Sequence, residues 1–174
     1  MCKPASMVVT AGPAVHWGQT DNHSELIASL GLHEDGVRGI NLVRIELTPP
    51  GDDLSKPLPE WDFRVDQDIV PEWWGAESGE AACRAALVDW YASRVVVAGV
   101  RTVSDGHTYA IDSARVTANG SARVTANDSA QVTANGASTV VQFGGTVNLS
   151  APRTVCVDRR TGTPVYVIGA EPAQ

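Results

Sequence analysis

The segment SARVTANGSARVTANDSAQVTANG, residues 113–136, repeats one eight-residue phrase three times. An octad is too short to enclose a core, so its apolar residues must be covered by neighbouring copies. A short strict period of this kind marks a solenoid. Within each copy Ala-Arg-Val-Thr-Ala alternates small apolar with polar residues, the two-residue period of a strand with one buried face. Ala114, Val116, Ala118, Ala122, Val124, Ala126, Ala130, Val132 and Ala134 are expected inward, with Arg115, Thr117, Arg123, Thr125, Gln131 and Thr133 outward. Asn119-Gly120-Ser121, Asn127-Asp128-Ser129 and Asn135-Gly136 tolerate positive φ and supply corners, where the three asparagines are expected to form hydrogen-bonded ladders.

Small inward side chains let two sheets lie close together, which favours a flattened coil of two octads over a triangular coil of three. Degraded copies follow as STVVQFGG, TVNLSAPR, TVCVDRRTG and TPVYVIGA. Val141, Leu149, Val157 and Val165 keep the eight-residue period among themselves, so the register is expected to slip by one residue near Gly136-Ala137. Phe143, Leu149, Val155, Val157 and Val167 suggest a wider final section closing the edge, because an open parallel edge recruits other chains. Upstream, RVVVAGVRTVSDGHTYAID reads as irregular early coils. The array is placed at residues 95–170, with 171–174 as a tail.

Residues 1–94 have another character. SELIASLGL predicts a helix over 24–32 capped by Ser24, INLVRIELTPP a strand within 40–50, and DFRVDQDI a strand over 62–69. ESGEAACRAALVDWYASRV predicts a helix over 77–95 burying Ala81, Ala85, Leu87, Val88 and Tyr91, with acids in its first turn and Arg94 in its last. The fold class is therefore mainly β, a β-solenoid of octapeptide repeats with a small acidic α+β domain capping its N-terminal end.

The charge is divided unevenly. Residues 1–100 carry 7 Lys/Arg against 15 Asp/Glu, or −8, and residues 101–174 carry 6 against 5, or +1, giving the net −7. An acidic front half argues against nucleic acid, whose phosphates are met by Lys and Arg. No apolar run is long enough to span a membrane, and the N-terminus lacks a continuous apolar signal core. Cys2, Cys83 and Cys156 match no disulfide or zinc spacing. A cytoplasmic protein without a cofactor or metal is expected, and the Asn-x-Ser triplets at 119–121 and 127–129 are products of the repeat.

NHSELIASLGL, VRIELTPPGDD, WDFRVDQDIVPEWW, the Ala-rich helix and the tandem units ending in VDRRTGTPVYV together resemble a family of uncharacterised proteins from phages and actinobacterial genomes. The resemblance covers nearly the whole chain and implies a phage or prophage setting. It supplies no catalytic residue.

Asp66, Asp68 and Glu72 lie close together beside Trp73 and Trp74, and on a strand Asp66 and Asp68 share a face. Such carboxylates can hold a cation or act as acid and base, but also serve as a solvated rim. His16, Asp21 and His23 form a second group, against which stand ordinary loop and capping roles. Trp73, Trp74 and Trp61 are expected to anchor the cap on the first coil, the alternative being an exposed recognition patch. Cys83 reads as a buried, inert thiol, and neither a G-x-S-x-G elbow nor the GGxGxD calcium turn is present. The Thr117–Thr133 rank is short and interrupted by Arg, unlike an ice-binding face.

These features point to a non-catalytic binding or scaffold protein acting on a host macromolecule, with a protein partner and self-association into a homo-oligomer both in view. One variant has the acidic head mimic DNA through Asp66, Asp68 and Glu72. The rival is an enzyme or small-ligand binder with His16, His23 and the VDQD acids around a cleft between cap and solenoid.

Overall fold

The computed structural model describes residues 5–12, 14–33 and 41–170. Cys2 and the tail 171–174 lie outside them. The chain divides into two compact units, Met1–Ser93 and Arg94–Gln174.

The first unit runs β1 (Ala5–Thr10), β2 (Ala14–His16), α1 (His23–Ser29), β3 (Leu42–Thr48), β4 (Asp62–Val65) and α2 (Ala76–Arg94). Its strands form one antiparallel sheet in the order β2-β1-β3-β4. Alternation sorts its two faces. Ala5, Met7 and Val9 stand opposite Leu47, Ile45 and Val43 on one wholly buried apolar face. On the other, Val8 and Leu42 pack against Leu26 and Ile27 of α1.

Three expectations for this unit are corrected. The N-cap of α1 is Asn22, whose side chain accepts from the backbone N–H of Ser24 and Glu25. β4 stops at Val65, short of the expected 62–69. In α2 the buried stripe is Gly79, Cys83, Leu87, Trp90 and Arg94, whereas Ala81, Ala85 and Val88 are exposed. Trp61 explains part of that rotation: buried itself, it meets Trp90 and Tyr91 edge-on at centroid distances of 6.0 and 6.1 Å.

After Arg94, the last residue of α2, the described residues of the second unit form strands and corners: β5 (Val95–Val96), β6 (Val100–Val103), β7 (His107–Ala110), β8 (Arg115–Ala118), β9 (Arg123–Ala126), β10 (Gln131–Ala134), β11 (Thr139–Gln142), β12 (Thr146–Leu149), β13 (Val155–Asp158) and β14 (Val165–Ile168). They form a β-solenoid of about four coils, two strands per coil. One sheet runs β12-β10-β8-β6, the other β14-β13-β11-β9-β7-β5. The pairs are parallel except β13 with β14. Arg115 pairs with Gln131 and Arg123 with Thr139, a step of two octads per coil. All nine inward Ala and Val residues of the three perfect copies are buried. Each interior valine contributes ~1.5 kcal/mol or more of burial.

Corners are tight turns. The N–H of Ala122 bonds Asn119 O at 3.1 Å and that of Ala130 bonds Asn127 O at 3.1 Å, with Gly120, Asp128 and Gly136 at positive φ. The Asn135 side chain donates to that of Asn119 at 3.1 Å, one rung of the expected ladder. Asn127 sits at the opposite corner, where the residues sixteen before and after are Ile111 and Phe143, so it has no asparagine above or below.

The register differs from expectation in a specific way. The octad continues unbroken through Gly136-Ala137, so Ser138, Val140 and Gln142 are buried and Val141 faces outward. The inward step then shortens to seven between Val140 and Val147, and lengthens to nine between Val147 and Cys156. Cys156, not Val157, is the inward residue. The closing section also differs: β14 turns back antiparallel on β13, and Phe143, Val165, Tyr166, Val167 and Ile168 are all exposed.

Ser138 and Thr154 stand where earlier copies have alanine. Each hydroxyl donates to the carbonyl three residues back, Asn135 and Ala151 respectively, at 2.8 and 2.6 Å. The Ser138 backbone N–H already bonds Asn135 O. Ser138→Ala is therefore expected to change stability by less than about 1 kcal/mol, since donor and need disappear together. Urea unfolding followed by circular dichroism checks this, and a much larger loss would show that the hydroxyl holds the corner.

Candidate functional site

The α1-covered face of the first sheet carries polar groups at one end. Period-two alternation puts Leu42, Arg44, Glu46 and Thr48 on that face, with Ser6 and Arg64 in register beside Glu46. α1 opens at His23, which is buried at 6% exposure. The His23 Nε2 lies 3.0 Å from the Ile45 carbonyl, and because a carbonyl only accepts, Nε2 carries the hydrogen. Its Nδ1 then faces Asp66 Oδ2 at 3.7 Å. Asp66 Oδ1 accepts from the Arg64 guanidinium at 2.6 Å. Glu46 completes the group: one ligand atom each from His23, Glu46 and Asp66 lie within 4.8 Å of one another.

Asp66 is held there by its neighbours. Its N–H bonds Arg44 O at 2.8 Å, while Gln67 accepts from the Arg44 N–H at 2.8 Å and donates to Leu42 O and Ile69 O. The segment after β4 is thus fastened to β3 by Gln67, with Asp66 turned over the sheet.

The structure joins His23 to Asp66 and leaves the other candidates elsewhere. Asp68 and Glu72 are exposed. His16, in β2, bonds across the hairpin to Thr10 Oγ1 at 3.1 Å. Trp73 and Trp74 are half-buried and meet edge-on, and the Trp74 ring lies against Gly79 of α2, so closely that a Cβ there would be 2.2 Å from it. A cavity of about 80 Å³ between Gly12, Trp73, Trp74, Gly75, Ser78 and Gly79 is small for an organic ligand. Glu46, Arg64 and Gln67 escaped sequence reasoning. The one available signal was Glu46 itself, an acid inside the apolar run INLVRIELT.

No family model, curated protein or solved structure matches this chain.

The solenoid's outward columns are chemically mixed. One reads Val100, Arg115, Gln131, Thr146 and the other His107, Arg123, Thr139, Val155, so neither sheet carries a basic stripe. β14 is different. Val165, Tyr166, Val167 and Ile168 are 52%, 69%, 46% and 68% exposed, and among the described residues nothing pairs with the strand's second edge. The turn leading to it is braced by Arg160, which bonds Asp158 at 2.6 Å and holds that carboxyl down to about 2. Burial, with Glu80 nearby, pushes the Cys83 thiol up to about 12, and Cys156 is raised by the same cause. Both thiols are protonated at neutral pH. No helix among the described residues is long and apolar enough to cross a membrane.

Proposed function

We propose that this chain is a non-catalytic binding or scaffold protein, encoded by a phage or prophage and acting in the host cytoplasm, whose solenoid offers β14 to a protein partner. One observation carries the reading: four consecutive exposed apolar residues on an edge strand with no charge among them. Natural edge strands are blunted by Lys, Pro or bulges, and Val165–Ile168 contains none of these. An extended segment of the partner adds to the sheet through backbone hydrogen bonds, and Val165, Tyr166, Val167 and Ile168 supply the apolar contacts. The acidic front half and mixed solenoid columns disfavour nucleic acid as that partner. The phage setting rests on the resemblance, over nearly the whole chain, to uncharacterised proteins of phages and actinobacterial genomes.

The double substitution Tyr166→Lys and Ile168→Lys tests the reading. It is expected to abolish capture of the partner from host lysate and the accompanying slowing of amide exchange along β14, with the circular dichroism spectrum unchanged. Capture that survives the two lysines refutes the edge as the contact. Light scattering over a concentration series identifies self-association: a mass that doubles in the wild type and not in the variant assigns the edge to a second copy.

A further inference from the structure

We infer that His23, Glu46 and Asp66 form a binding site for a first-row divalent transition metal ion. The first support is the donor set. The hydrogen bond from His23 Nε2 to Ile45 O fixes the tautomer and leaves the Nδ1 lone pair directed toward Asp66. Anchoring one ring nitrogen on a backbone carbonyl so that the other can ligate is the usual outer-shell arrangement of a metal-bound histidine. Asp66 divides its two oxygens in the same manner, Oδ1 to Arg64 and Oδ2 toward His23.

The second support is independent of that arrangement. Glu46 is buried, with 9% of its surface exposed, and among the described residues its carboxylate has neither a hydrogen bond nor an ion pair. A carboxylate on so largely buried a residue, with no protein donor, is left to what solvent still reaches it, and a cation shared with His23 and Asp66 supplies a counter-charge. The ligand atoms, within 4.8 Å of one another, need only a small contraction to reach the bond lengths of ~2.0–2.2 Å that such ions require. One imidazole nitrogen with two carboxylates selects Zn²⁺ or Mn²⁺ over Ca²⁺ and Mg²⁺, which prefer oxygen alone. The three ligands come from α1, β3 and the segment after β4, so the ion would cross-link the N-terminal unit.

The test is isothermal titration of untagged, EDTA-treated full-length protein with Zn²⁺, with Mn²⁺ followed by loss of its free-ion paramagnetic signal, and with Mg²⁺ and Ca²⁺ for comparison. Saturable binding of about one Zn²⁺ or Mn²⁺ per chain is expected. Glu46→Gln and Asp66→Asn, which keep side-chain volume, should each weaken it by roughly tenfold or more. They are titrated separately, after confirming the fold by circular dichroism, so one unfolded variant leaves the other as the readout. Absence of saturable binding in the wild type overturns the assignment, as does binding that survives in the folded variants. A Co²⁺ spectrum with thiolate charge-transfer bands overturns it too, since the ion would then sit on cysteine.

Discussion

Val132→Asp is expected to unfold the solenoid, while Gln131→Asp, one residue earlier on β10, leaves it intact. Val132 is 2% exposed among the Ala and Val residues of a dry interior, whereas Gln131 is exposed between Arg115 and Thr146. A carboxylate at 132 finds no donor and loses its hydration, at ~4 kcal/mol or more. A unit of about 80 residues has roughly 4–12 kcal/mol of stability in total, so this one substitution is comparable to the whole. At 131 the same charge stays in water beside Arg115. Loss of the β-sheet signal and of amide protection over residues 95–170 in the first variant but not the second is the expected pair of results. Equal tolerance of both would mean that the octads do not meet across a dry centre.

The second large effect is at a corner. Gly145→Ala places a Cβ 2.0 Å from the Ala130 carbonyl oxygen and asks alanine to adopt φ +68. The comparison is Gly162→Ala, where φ is +85 but no atom lies within 4 Å of the added methyl. The conformational penalty, about 1–3 kcal/mol, is common to both. Overpacking against a neighbouring coil's backbone adds about 1–3 kcal/mol more at Gly145 alone. Urea unfolding midpoints should therefore fall well below those of Gly162→Ala. Equal midpoints would show that the coils separate freely at that corner.

The solenoid was legible because its period is short, strict and repeated, so two facts suffice: alternation sets the strand and Asn-Gly or Asn-Asp sets the corner. The later coils were misread for a reason rooted in chemistry. Val140 and Val141 are adjacent and equally apolar, and the reading that put Val141 inward spared Gln142 from burial. The structure buries Gln142 because its Nε2 finds Gly145 O at 2.8 Å, a satisfaction that no hydrophobic pattern reveals. The candidate metal group was hidden differently. Asp66 was grouped with Asp68 and Glu72 by proximity in sequence, but β4 ends at Val65 and Gln67 turns the chain, so Asp66 meets His23 and Glu46 instead. Contact between residues 23, 46 and 66 depends on strand order, β1-β3-β4, and strand order is a tertiary fact.

The seven-residue step followed by a nine-residue step shows how such a stack of rungs can be edited. Because the two add back to two full octads, β13 still lands in line with β11 although β12 has drawn one residue nearer. Deletions on one side of the stack are thus compatible with continued growth when matched by an insertion on the other, and grafted peptides belong at the Ser150–Arg153 corner, where the chain already carries its surplus.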